Sequence, residues 1–85
     1  MLDFQTRIKI EVDKKRSTLT VGFKPATPRP IYDICDLHGR ILKTGDLASS
    51  DTQVELNGLR KREYILLILD GDRVFTKKFD LRIAS

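Results

Sequence analysis

Ile34-Cys35-Asp36-Leu37-His38-Gly39-Arg40-Ile41-Leu42 reads as two apolar strands closing around a glycine turn. Downstream, Val54-Glu55-Leu56-Asn57-Gly58-Leu59 is a short alternating strand with its own turn, and Tyr64-Ile65-Leu66-Leu67-Ile68 is apolar at every position. Short strands punctuated by Gly, Asn and Asp turns are the pattern of a small antiparallel β-sandwich. The fold expected is therefore all-β, a small antiparallel β-sandwich of about seven strands, with residues 1–85 forming one domain.

Working outward from that stretch, period two extends to the amino-terminal region. Ile8, Ile10 and Val12 alternate with Lys9 and Glu11, and Leu19, Val21 and Phe23 resume the alternation after a polar turn at residues 13–17. These segments predict a hairpin with one apolar and one wet face, and the basic triplet Lys14-Lys15-Arg16 at its tip reads as a solvated loop. Pro25, Pro28 and Pro30 each remove a backbone donor, so residues 24–30 predict a stiff extended crossover between sheets.

The third strand is expected over residues 31–37, with Tyr32 and Ile34 facing one way and Ile31, Cys35 and Leu37 the other. His38-Gly39 offers a two-residue turn into a fourth strand at 40–44, and residues 45–51 read as a polar surface loop. A fifth strand follows at 53–56. Leu59 is expected to plug a charged, exposed corner at 60–63. Both faces of the strand at 64–69 must be covered because it has no polar phase, which raises the question of what shields its outer side. Asp70-Gly71-Asp72 is a hairpin turn, and residues 73–79 return antiparallel.

Composition narrows the function classes. The 85 residues carry 16 Lys and Arg against 12 Asp and Glu, a formal net charge of +4 that favours solubility without specifying nucleic acid. Arg40, Lys43, Lys77, Lys78 and Arg82 mostly alternate with apolar residues, as ordinary outward-facing strand positions do, and Tyr64 and Phe79 fall where the core needs bulk. That argues against a nucleic-acid surface, which interleaves basic residues with exposed aromatics. The longest apolar run, residues 64–69, is far short of a membrane span, and the amino terminus has no signal-peptide core. Taken as complete, the chain is expected in the cytoplasm; taken as a piece of a longer exported protein, it is expected to be secreted or at the cell surface.

Neither catalysis nor a cofactor is expected. His38 is the sole histidine and sits in a turn, Cys35 is the sole cysteine and sits in an apolar strand, and together they fall short of a triad or a zinc ligand set. The aspartates at 33, 36, 46, 51, 70 and 72 lack the ordered spacing of a calcium loop, so turn formation is the simpler account of the Asp70 and Asp72 pair.

From residue 31 onward the chain resembles the C-terminal sorting domain of proteins exported by the type IX secretion system of Bacteroidetes. Asp36-Leu37-His38-Gly39-Arg40 corresponds to that family's Asp-Leu-x-Gly-Arg turn, Val54, Leu56 and Leu59 to its middle strand, and Tyr64-Ile65-Leu66-Leu67-Ile68 and Val74-Phe75-Thr76-Lys77-Lys78-Phe79 to its closing strands. Arg62 stands where the family has glycine. The resemblance implies an immunoglobulin-like, non-enzymatic module read by a protein secretion apparatus and linked to surface attachment. The residues that carry it are Asp36, Leu37, Gly39, Arg40, Leu59, Tyr64, Lys77 and Lys78. Ile65, Leu67, Leu69, Phe79 and Leu81 are the candidates for contact with a protein partner, either the secretion apparatus or a second copy of the chain. The alternative is a free-standing β-sandwich with a binding or structural role, or a homo-oligomer that covers the outer side of residues 64–69.

Overall fold

A computed structural model describes residues 8–47, 51–60 and 63–81. The expectations for residues 48–50, Arg62, Arg82 and Ile83, and for the first seven residues, lie outside these. Seven strands follow in order: β1 (Lys9–Asp13), β2 (Thr18–Gly22), β3 (Ile31–Cys35), β4 (Ile41–Asp46), β5 (Asp51–Glu55), β6 (Glu63–Asp70) and β7 (Arg73–Asp80). They form a three-stranded sheet, β1-β2-β5, and a four-stranded sheet, β4-β3-β6-β7, with every pairing antiparallel. None of the described residues forms a helix long and apolar enough to cross a membrane.

Alternation builds the core between the sheets. Leu19, Val21 and Val54 from the first sheet meet Ile34, Tyr64, Leu66, Ile68 and Phe79 from the second, all buried, while Ile8, Ile10 and Val12 pack at the margin. As the prolines require, residues 23–30 cross from β2 to β3 and so from one sheet to the other.

That crossover is fastened by Asp70 at the end of β6. Its carboxylate accepts the Ala26 N–H at 2.7 Å, the Thr27 N–H at 3.0 Å and the Thr27 hydroxyl. Gly71 then opens the two-residue turn to Arg73 with φ of +68°, while Asp72 keeps a negative φ, the type II′ pattern. A Cβ on Gly71 would lie 2.8 Å from the Thr27 methyl. Gly71→Ala therefore combines a left-handed backbone cost with a clash against the crossover, and a loss of about 1–2 kcal/mol or more is expected from urea unfolding. An unchanged midpoint would refute this account of the turn.

Several boundaries differ from the sequence reading. β3 ends at Cys35 because the Asp36 side chain turns the chain over itself, and the hairpin loop has three residues, Leu37-His38-Gly39, instead of two. Gly39 takes φ of +89° after the turn closed by its N–H on the Asp36 carbonyl, the usual three-residue hairpin form. Gly45 and Asp46 belong to β4, and Leu47 is a core residue only 2% exposed, its N–H bonded to the Pro30 carbonyl at 3.0 Å. The proposed surface loop at 45–51 thus begins as strand and core. At the charged corner, Arg60 is exposed but Glu63 is half-buried within β6.

Candidate functional site

The outer face of the four-stranded sheet follows from the strand registers. Since Tyr64, Leu66 and Ile68 point into the core, Ile65, Leu67 and Leu69 point away from it, and all three are half-buried. Across the strands, Ile41, Cys35, Ile65 and Lys78 form one row. Thr44, Asp33, Leu67 and Thr76 form the next, and Asp46, Ile31, Leu69 and Val74 the third. Apolar side chains thus hold most of the two outer rows, with Lys78 and Asp46 at opposite corners, while the middle row sets Leu67 among Thr44, Asp33 and Thr76. Ile41 and Val74, at 59% and 57%, are the face's most exposed apolar side chains.

At one end of this face stands the Asp36–Arg40 turn. Asp36 is 1% exposed; its carboxylate accepts the His38 N–H, the Arg40 N–H and the Arg40 Nε–H, each at 2.9 Å. Its own N–H donates to the Arg40 carbonyl at 3.0 Å. The Arg40 backbone N–H first, then its guanidinium and the His38 N–H, outweigh burial and hold the Asp36 carboxyl down at about 2. Asp36, Gly39 and Arg40 are therefore committed to shaping the turn. Leu37 is not: it stands 50% exposed on the loop, near the exposed Ile41 and Leu42 that follow. A register shift at Ile34/Cys35 leaves Leu42 as the extra residue of β4, which is why two successive apolar residues, Ile41 and Leu42, both reach solvent.

The remaining sequence candidates divide between core and surface. Tyr64 is buried and packs on Phe79 with ring centroids 5.8 Å apart. Phe79, expected at a partner surface, is an inner-face core residue 3% exposed, because its register partner is Tyr64 and the two share a phase. Leu59 and Leu81 are partly buried and pack against the core. Leu59 also closes a turn with its N–H on the Leu56 carbonyl, the plug the sequence suggests. Lys77 and Lys78 are exposed on opposite faces of β7, an edge strand of its sheet. His38 is exposed in its loop.

Cys35 is 7% exposed, and burial, followed by the nearby Asp33 and Asp36 charges, pushes its thiol pKa up. Both effects disfavour the thiolate. The native protein is expected to react with an aromatic disulfide reagent far more slowly than the urea-unfolded chain; equal rates would show the thiol to be accessible.

No group of three or more His, Cys, Asp or Glu residues among those described could hold a metal ion. Two open hollows, one around the β1–β2 tip and one beside Lys9, Asp51 and Lys77, are lined by mixed charged, polar and apolar side chains. Asp33, which the sequence offers only as one of six aspartates, shares the outward phase of Ile31 and Cys35, a phase legible from their spacing; that it lies between β4 and β6 follows only from the registers.

Fold and face together define a small β-sandwich domain of the structural or protein-interaction kind. No protein-family model and no curated protein matches the chain.

Proposed function

We propose that this chain is a non-enzymatic protein-interaction module of the sorting and surface-attachment kind, read by a protein secretion machinery. The observation that carries the interaction is the apolar outer face of the four-stranded sheet, continued at one end by Leu37, Ile41 and Leu42. Apolar side chains gathered on one outward face of a folded domain mark contact surfaces. The sorting reading draws further support from the Asp36-Leu37-His38-Gly39-Arg40 turn, whose polar residues fix a rigid loop and leave Leu37 outward. β7 adds a second route, since an edge strand presents backbone groups to a pairing segment.

Strand order supports an immunoglobulin-like relationship. Two sheets linked by crossovers at β2–β3, β4–β5 and β5–β6 have the alternation of that architecture, although β4 lies beside β3 where the constant-type arrangement pairs the fourth strand with the fifth.

The test is surface display. The whole chain, rather than residues 31–85, should be fused behind a reporter bearing an export signal in a type IX-competent cell, because β1 and β2 supply Leu19 and Val21 to the core. Display is expected for the natural sequence and strongly reduced for Leu67→Asp, which charges the outer face without touching the core. Intracellular retention of a well-folded fusion would defeat the sorting reading. A free-standing binding module would instead leave the fusion undisplayed while still engaging a partner through the same face.

A further inference from the structure

We infer that Asp33 is the specificity centre of the outer face, and that the partner docking there presents a lysine or arginine side chain flanked by aliphatic ones. This rests on the reading of that face as a docking surface and names the chemistry of its partner.

Asp33 lies on β3 between Leu67 of β6 and Thr44 of β4, with Ile31 and Cys35 two residues away on the same face. Although it faces outward, it is only 7% exposed, because its short side chain sits among longer neighbours. Among the described residues no hydrogen bond or ion pair engages its carboxylate, in contrast to the buried Asp36 and Asp70, which have three acceptor contacts each. The three buried acidic residues thus separate into two that organise turns and one whose carboxylate has no such contact among the described residues.

A carboxylate in this setting dictates what can cover it. An entirely apolar partner would remove the remaining water from Asp33 and leave an uncompensated charge, which is strongly unfavourable. A cation delivered between Ile65, Leu67 and Leu69 would meet it in a water-poor surround, where a charge-assisted hydrogen bond is strongest. Aliphatic flanks would complete the contact with Ile31, Ile41 and Val74. A second copy is the poorer occupant, since two-fold pairing centred on this face brings two Asp33 carboxylates together. The face therefore selects a basic, aliphatic segment of a different protein.

Capped tripeptides Ile-Arg-Val and Ile-Gln-Val, titrated into the full-length isotope-labelled chain and followed by amide shifts, test this directly. The arginine peptide is expected to perturb Ile31–Cys35 and Ile65–Leu69 selectively and to bind at least about tenfold more tightly than the glutamine peptide. Asp33→Asn should abolish that preference, whereas Asp46→Asn at the corner should preserve it. Asp33→Val should remove it too while melting at a higher temperature than the natural chain, because a lone carboxylate is replaced by a strand-compatible apolar side chain. Equal affinity for the two peptides, shifts elsewhere on the molecule, or a preference that survives Asp33→Asn would overturn the inference. So would a dimer in sedimentation equilibrium that Leu67→Asp dissociates. In the display assay, loss with Leu67→Asp but normal display with Asp33→Asn would leave the docking face standing and remove Asp33 from its centre; normal display of both would remove the face itself.

Discussion

Tyr64→Ala is expected to lower the free energy of unfolding by about 3–5 kcal/mol at 25 °C, the largest loss of any single truncation in the core. Tyr64 is 1% exposed at the centre of the inner face of β6, packed on Phe79 and within the same cluster as Leu66 and Leu19. Deleting a buried aromatic ring costs about 3–5 kcal/mol, transfer and cavity together. For 85 residues the whole stability is on the order of 4–13 kcal/mol, so this single loss removes much of it. The adjacent Ile65 provides the internal control. It is as apolar by sequence as its neighbours, yet it faces outward and is only partly buried, so Ile65→Ala should cost about 1–2 kcal/mol, well below the loss at Tyr64. Urea unfolding of the two variants measures the contrast. Similar costs at both positions would contradict the inward phase of Tyr64, and with it the register that defines the outer face.

That contrast marks what the sequence could and could not reveal. Where burial is written as alternation, as at Ile10, Val12, Leu19 and Val21, the strand and its inward face follow directly from the spacing. Residues 64–69 have no polar phase, so only the pairing of β6 with β3 and β7 distinguishes Tyr64, Leu66 and Ile68 from Ile65, Leu67 and Leu69. Leu47 looked like part of a polar loop because its partners are distant in the chain: its N–H bonds the Pro30 carbonyl and its side chain joins the core cluster between the sheets. Phe79 reads in the sequence both as core bulk and as a partner contact, and only its pairing with Tyr64 decides for the core. Asp36 organises residues within four positions of itself and was therefore visible as a motif, whereas Asp70 binds residues 43 and 44 positions away and read only as half of an Asp-Gly turn. Local chemistry is legible in a chain; the partner of a long-range carboxylate is not.

Acid should loosen this protein through those same two carboxylates, and the effect should be separable by mutation. Asp36 titrates at about 2 in the folded chain against an ordinary value of 3.8, and the Ala26 N–H, followed by the Thr27 hydroxyl and N–H, likewise lowers Asp70. Both folded values lie below the unfolded ones, so the stabilisation is present above the unfolded value and is lost as pH falls through the folded one. Urea midpoints should accordingly be level near neutral pH and decline between about pH 4 and 2. Asp70→Asn removes the charge that gathers three donors of the crossover, and Asp70→Ala, which removes all three charge-assisted hydrogen bonds, should cost about 1.5–3 kcal/mol at pH 7. Asp36→Asn should weaken the protein in the same direction by relaxing the 37–39 loop. In each Asn variant the decline with acid should be shallower than in the natural chain, because one of the groups that drives it no longer titrates. Acid profiles that merely shift downward in parallel would mean that neither carboxylate is the source. If they flatten as expected, the Asp-x-x-Gly-Arg turn is held by a charge whose work is structural, and any partner that reads the loop must read its exposed residues, Leu37 foremost, instead of the acid that gives the motif its most conspicuous letter.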